Sequence, residues 1–523
     1  MLRLPLALVC LGLLLAGSAA ASESLVLPAI DRDALVAADK ELDPGGPLRY
    51  SDPWILSLSP ADGPGWERLA DGSHRWRLEV LAPGALSLGF GFDRFRLPWG
   101  GELRITGERG PDRVFTAADM QDHGQLWTPV VLGEAATVSL TLPAGHRDDF
   151  ALELVSVGRG FRFFGEPPAD KQGSCNVDVV CPEGDPWRHE IPSVAVYQIG
   201  NSWVCTGAMI NNTARDGTPY FLTAHHCNVH EANAASVVVY WNFESPVCGD
   251  LSGGSLADTQ SGAVWRASFS DSDMTLIELS ALPDTSWHVT YAGWDRSGAV
   301  PASAVCIHHP STDEKAISFE DAPLQKTAYL GTATNPAGAH WRVVDWDLGT
   351  TEPGSSGSPL FNPGHQIVGQ LHGGYAACGN DESDWYGRFD ISWLGGGTND
   401  TQLAHWLDPA GSGAVTLATY DPRDPDDPEE PEDPDRLVSF ATRGNPVRVG
   451  EAAVLTYELA RAGHVQLTIH DLRGRRLAVL VDADQAAGVH TVLWPGVGSA
   501  AGAYFARVEA LGEEHTQAFT RLR

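Results

Sequence analysis

Two short runs carry residue types that can do covalent chemistry. Thr351-Glu352-Pro353-Gly354-Ser355-Ser356-Gly357-Ser358-Pro359 sets a serine in a glycine-flanked turn. Phe221-Leu222-Thr223-Ala224-His225-His226-Cys227 sets a histidine directly before a cysteine. A serine hydroxyl is a weak nucleophile at neutral pH and needs an imidazole to take its proton. Gly354 and Gly357 let the backbone bend around Ser356. Its hydroxyl is then exposed, and the amides of Gly354 and Ser356 can converge on a developing oxyanion. The chemistry on offer is attack of an alcohol on a carbonyl, with Ser356 as nucleophile and His226 as base.

Such a pair needs a scaffold, and the chain is long enough for several. Its 523 residues exceed one hydrophobic core. Met1-Leu2-Arg3-Leu4, an apolar run to Leu15 and Ala16-Gly17-Ser18-Ala19-Ala20-Ala21 have the layout of a signal peptide over residues 1–21. A membrane anchor is the competing reading, but the run is short for a bilayer. No other segment is long and apolar enough to span one. A net charge of -32 excludes nucleic acid as a partner, since phosphate would be repelled, and favours cationic substrates. Export permits disulfides. Cys10 lies in the signal, and the other seven cysteines fall between Cys175 and Cys378, so one of these stays free or pairs between chains.

Short apolar alternations broken by Gly and Pro predict a mainly β chain. Residues 22–171 read as a β-rich unit without cysteine. From 172 to about 415, strands are expected over 194–199, 203–210, 236–243, 263–279, 340–346 and 366–371, with a closing helix over 399–407. That pattern fits a barrel or sandwich rather than βαβ units. Residues 416–435 end in a tract of Asp, Glu and Pro that is extended and solvated. Residues 436–523 suit a small Ig-like sandwich.

The segment from Gly173 through Cys175-Asn176-Val177-Asp178-Val179-Val180-Cys181 to Asp185 resembles the mature amino terminus of bacterial lysyl endopeptidases. The likeness continues through Cys205-Thr206-Gly207, Tyr220 to Cys227, Val239 to Asn242, Ala292 to Arg296, Ile307 to Pro310, Thr351 to Pro359, Gly369 to Gly374 and Trp406 to Pro409. It implies a secreted serine endopeptidase with a chymotrypsin-like double β-barrel, cutting after lysine. No metal and no organic cofactor are then needed. His226 and Ser356 match the base and nucleophile. Asp273, opening a strand after the base, matches the acid that fixes the imidazole tautomer, with Asp271 as its rival. Asp384 corresponds to the pocket carboxylate that pairs with lysine. An unpaired buried ammonium would be costly, which is why such a partner is needed. His372 matches a histidine near the active site, and Tyr329 takes the place of a stacking Trp. The implied disulfides are Cys175–Cys378, Cys181–Cys248 and Cys205–Cys227. Cys306 is left over and reads as a buried hydrophobe rather than an intermolecular bridge.

Lys171-Gln172 stands before Gly173, so self-cleavage after Lys171 is expected, with 22–171 an inhibitory or folding propeptide. The C-terminal unit resembles Ig-like modules related to the flagellar hook-capping protein, and implies contact with secretion machinery or the cell surface. Two other readings remain at this level. One is a broader trypsin-like protease taking Lys and Arg. The other is an inactive, protease-shaped surface binding protein. The partners expected are protein or peptide substrates containing lysine, and the location is extracellular or at the cell surface.

Overall fold

The computed structural model describes residues 23–39, 46–61, 65–162, 164, 172–424, 437–443, 447–448, 452–459, 462–486, 488–496, 499–510 and 513–522. The expected signal peptide, Lys171 and most of the acidic tract lie outside them. The chain divides into two compact units, residues 1–423 and 424–523. Both are mainly β.

In the first unit, strand after strand alternates buried and exposed positions, as a sheet with one covered face requires. His74–Leu81 and Val131–Leu142 bury every second side chain. They belong to an amino-terminal sheet in which His74–Leu81 pairs antiparallel with Val131–Leu142, and Ser87–Arg96 pairs with Ala151–Gly160. Its core holds Trp76, Leu78, Phe90, Phe92 and Val138. The amino-terminal segment docks on the next sheet of the chain by strand addition, Leu48–Arg49 pairing with Trp203 and Val204. Tyr50 donates its hydroxyl to Gln198 Oε1 at 2.7 Å. Tyr50 and Phe164 share one apolar cluster with Val196, Tyr240 and Phe243.

Two further sheets form the double β-barrel. The first runs Thr259–Ser261, Val238–Tyr240, Val194–Ile199, Trp203–Met209, Tyr220–Ala224, Met274–Leu279, Ala263–Phe269. The second runs Val177–Asp178, Ala316–Glu320, Ala304–His308, Pro359–Phe361, Ile367–Gly374, Asp384–Arg388, His340–Val343, Gln325–Thr327. Leu222, Met274 and Leu276 of the first sheet pack in one cluster with Ile307, Ile317 and Ile367 of the second. The site is built at this seam.

Several elements differ from the sequence expectation, the strands expected over 236–243 and 340–346 covering only Val238–Tyr240 and His340–Val343. The run 263–279 is two strands, split by a 3-10 turn at Ser270–Ser272 that leaves Asp273 at φ 52°. Left-handed backbone favours Asp and Asn among non-glycine residues, so the corner is what an aspartate at 273 permits. The closing helix shrinks to Ala404–Leu407, and an unexpected one, Phe389–Leu394, buries Phe389 and Trp393 against Trp294.

The disulfides are Cys175–Cys378, Cys181–Cys248 and Cys205–Cys227, with Cys306 free and buried. Burial pushes the Cys306 thiol up to about 12, so it is no nucleophile at neutral pH. In the second unit, Leu437–Arg443, Ala453–Leu459 and Gly488–Trp494 form one sheet. Gly463–Asp471, Arg476–Gln485, Gly502–Ala510 and Glu513–Leu522 lie in the other, and Leu455, Tyr457, Leu467, Ile469 and Val508 lie between the two.

Cys205–Cys227 closes a loop with a sequence separation of 22 and braces the turn bearing His226. Replacing both cysteines by Ala is expected to lower unfolding free energy by about 3 kcal/mol. A denaturant midpoint shift at constant m-value would measure it.

Candidate active site

His226 sits in a 3-10 turn, His225–Cys227, that ends strand Tyr220–Ala224. Neighbouring strand Met274–Leu279 pairs with that strand in register, Ala224 opposite Met274. The register alone therefore brings residues 226 and 273 together at one barrel end. His226 Nδ1 donates to Asp273 Oδ2 at 2.8 Å, and the His226 amide donates to Oδ1 at 2.9 Å. The His225 amide donates to the Asp273 carbonyl at 2.9 Å, and Gln370 Nε2 reaches that carbonyl at 3.2 Å. Asp273 is buried, whereas Asp271, the sequence rival, is exposed. Burial works to raise the Asp273 pKa, yet the charge and N–H of His226, then His372, hold it below the usual carboxylate value.

Ser356 is carried by the turn before Pro359–Phe361 and is half-buried. Its carbonyl accepts from Thr206 N at 2.8 Å and lies 3.9 Å from Cys227 Sγ, so the serine turn rests on the histidine turn. Gly357, at φ 82°, abuts Thr223, Thr206 and Ala224 so closely that a Cβ would lie 2.9 Å from Ala224 N. No other residue fits there. His226 Nε2 is buried and has no hydrogen-bond partner among the described residues, so no hydrogen bond joins it to Ser356. Such bonds are often long before substrate binds.

The turn amides divide into two sets. Ser355 N bonds to Glu352 O, Gly357 N to Leu371 O and Ser358 N to Ser355 O. The amides of Gly354 and Ser356 donate to no group among the described residues. These two are the pair that the sequence assigns to an oxyanion.

The expected His372 and Tyr329 join the same group. The ring of His372 stacks on Tyr329, 3.6 Å between centroids at 5°, and faces His226 at 5.4 Å and 14°. His372 Nδ1 is 3.8 Å from Asp273 Oδ2. Burial brings the His372 pKa down to about 4, so it is neutral at physiological pH. Sequence reasoning missed its other neighbour: His340 Nε2 lies 2.8 Å from His372 Nδ1. His340 is the register partner of Gly387, in the strand that lies between His340 and His372. Also missed was His308, buried beneath the serine turn. Its Nδ1 bonds Ser355 Oγ at 2.8 Å and its Nε2 bonds Ser318 Oγ at 3.0 Å, and burial brings its pKa to about 3. The ligand atoms of His226, Asp273 and His372 lie within 4.8 Å of one another, a spacing that could hold a cation. Within the group His226 Nδ1 bonds Asp273, and His372 Nδ1 bonds His340 Nε2.

Asp384 opens strand Asp384–Arg388, opposite Gly374. Its Oδ2 accepts from Trp346 Nε1 at 2.8 Å and Thr351 Oγ1 at 2.7 Å. Burial raises its pKa despite those bonds. Thr351 begins the serine turn, so the carboxylate and the turn are tied together. Gln172 is buried, and its amide donates to Asp313 Oδ2 at 3.1 Å.

Two family models cover this architecture. The lysyl endopeptidase C-terminal domain matches residues 169–387 and the lysyl endopeptidase N-terminal domain matches residues 61–156. The chain belongs to the lysyl endopeptidase family. It is therefore a serine endopeptidase of that family, and the inactive binding protein is set aside. It is 29% identical over 359 residues to the lysyl endopeptidase of Pseudomonas aeruginosa, covering 62% of this chain and 74% of the relative. Among solved structures it is similar to the secreted serine protease VesC from Vibrio cholerae, at 14% identity, TM-score 0.27, with 63% of this chain and 68% of that one covered. Kallikrein-related peptidase 10 gives 15% identity, TM-score 0.28 and coverage of 40% and 95%. No helix among the described residues is long and apolar enough to cross a membrane.

Because Asp273 has a lowered folded pKa, the stability it lends is present above its unfolded value of about 3.9 and is lost as pH falls through the folded value. Asp273→Asn is expected to remove that part of the acid limb in a plot of unfolding free energy against pH. An unchanged limb below pH of about 4 would refute the linkage.

Proposed function

We propose that this serine endopeptidase cuts on the carboxyl side of lysine, with Ser356 as nucleophile, His226 as general base and acid, and Asp273 holding His226. The observation that carries the lysine preference is the buried Asp384 carboxylate, tied through Thr351 to the serine turn. A carboxylate in that setting attracts a desolvated ammonium, and an apolar side chain would leave it unpaired. His226 Nδ1–H on Asp273 leaves Nε2 to take the Ser356 proton and pass it to the leaving amine. The unengaged amides of Gly354 and Ser356 would receive the oxyanion of the tetrahedral intermediate. Water then releases the acyl-enzyme by the same relay.

The stack of Tyr329, His372 and His226 presents flat faces beside the base, and the neighbouring His340 is also held neutral, its pKa brought to about 4 by burial. A neutral His372 spares the imidazolium that forms on His226 from a like charge.

The domain reading follows from the same function: a signal over 1–21, a propeptide over 22–171 removed by cleavage after Lys171, a catalytic domain over 172–415, a linker over 416–435 and a C-terminal attachment or sorting domain over 436–523. Only two lysines lie in the catalytic region. Lys315 is buried against Glu244 at 2.7 Å, and Lys326 donates to the Gly298 carbonyl at 2.6 Å. Both are shielded from a protease of this preference. An extracellular or surface location suits the three disulfides.

Mass spectrometry of peptides released from a denatured protein mixture tests the preference. Cleavage after Lys is expected, with Arg a minor site. Equal cleavage after both would favour the broader trypsin-like reading. Ser356→Ala is expected to abolish release. Asp384→Asn is expected to lower kcat/KM on lysyl esters by about 100-fold or more. In the parent enzyme, KM for lysyl esters should climb on acidification as Asp384 takes up a proton, at a pH above the ordinary carboxylate range.

A further inference from the structure

Behind the serine turn lie two acids that the mechanism does not use. Asp313 and Glu314 are both more than nine-tenths buried. Among the described residues no Lys, Arg or His forms an ion pair with either, and the adjacent Lys315 is directed to Glu244. Glu314 Oε1 accepts from Gly254 N at 2.9 Å, while its Oε2 is buried and has no hydrogen-bond partner. Two buried carboxyls without a cation are costly unless they share a proton, and burial and then Glu314 push Asp313 up to about 8. On the Asp313 side the backbone group that reaches the pair from the amino-terminal segment is Gln172 N, 3.1 Å from Asp313 Oδ2. The Gln172 side chain is anchored beside it, Nε2 donating to the Glu314 carbonyl at 3.3 Å.

We infer that Asp313 and Glu314 form the receiving site for the amino group set free at Gln172, so that cleavage turns a neutral hydrogen bond into a buried ion pair beneath the serine turn. This rests on maturation after Lys171. Hydrolysis of that bond consumes one water, leaves a carboxylate on Lys171 and an amine on Gln172, and the amine takes a proton to become ammonium. The enzyme's own reaction supplies the step. The ammonium then supplies the cation that the two acids lack.

The link to the site is short. Asp313 N donates to Pro310 O at 2.8 Å, closing a turn in which Ser311 and Thr312 have φ of 53° and 63°. Ser311 N donates to Pro353 O at 2.7 Å and Ser311 Oγ to Glu352 Oε2 at 2.9 Å. Gly354 lies against the same turn, where a Cβ would come within 3.1 Å of His309 O. A charge that fixes Asp313 therefore fixes the surface on which the Gly354 amide is held. Gly173 N, next along, donates to Glu352 Oε1 at 2.9 Å, so residues 172 and 173 touch the 310–313 turn and the serine turn once each.

The test begins with the amino-terminal residue of the processed full-length product, read by intact mass. A start other than Gln172 overturns the maturation reading and this inference together. With Gln172 confirmed, Asp313→Asn, processed by a trace of parent enzyme, is expected to carry the same start and to lose kcat roughly tenfold or more with little change in KM. Unchanged kcat overturns the inference and leaves the maturation reading intact. A second measurement serves where that variant does not fold. Reductive methylation of the folded parent enzyme at neutral pH should spare the Gln172 amine and modify it after denaturation. An amine labelled at the same rate in both states, or one lost to cyclisation, overturns the inference.

Discussion

The buried carboxylate of Asp273 is the constraint on which the rest of the catalytic unit depends. Taking a carboxylate out of water is unfavourable by several kcal/mol unless donors surround it. Here the donors are the ring and amide of one histidine, and the backbone around the aspartate is satisfied by His225 and Gln370. These groups come from both barrels. The carboxylate is held by His226 across the pairing of strands 220–224 and 274–279, and Gln370 of strand 367–374 reaches the Asp273 carbonyl from the second barrel. The seam between the barrels is thus fixed by polar demands as well as by the apolar cluster around Leu222, Leu276 and Ile367.

The same logic extends outward. The serine turn has no regular secondary structure to hold it, so its shape comes from what it touches. Thr206 engages the Ser356 carbonyl through its amide and the Gly354 carbonyl through its hydroxyl at 2.9 Å. His308 braces Ser355 from below, and Thr351 joins the turn to Asp384. Three buried polar side chains therefore link Ser356, the proposed oxyanion amides and Asp384 into one body. Preorganisation of this kind is what lowers the reorganisation needed during acyl transfer.

Much of this was legible in the sequence because the motifs are local. Glycines around Ser356 and a histidine before Cys227 announce turns, and strand alternation gives the fold class. The three disulfides and the neighbourhood of His372 and Tyr329 came from a family resemblance, not from periodicity. What escaped was long-range. His340 meets His372 across the strand Asp384–Arg388 that separates theirs, and no spacing in the chain encodes that. His308 has as partners serines 10 and 47 residues away, which no local pattern around it announces. The break at Asp273 was hidden because both flanking segments have the same apolar alternation.

The amino-terminal part adds Leu48–Arg49 to the edge of the first barrel and sinks Tyr50 and Phe164 into its side. None of those contacts involves the peptide bond that maturation would cut. Under the proposed maturation, scission and departure would therefore be separate events. A severed amino-terminal part would persist as a noncovalent companion until it is itself unfolded or digested, and only then would the aromatic flank formed by Tyr240 and Phe243 meet water.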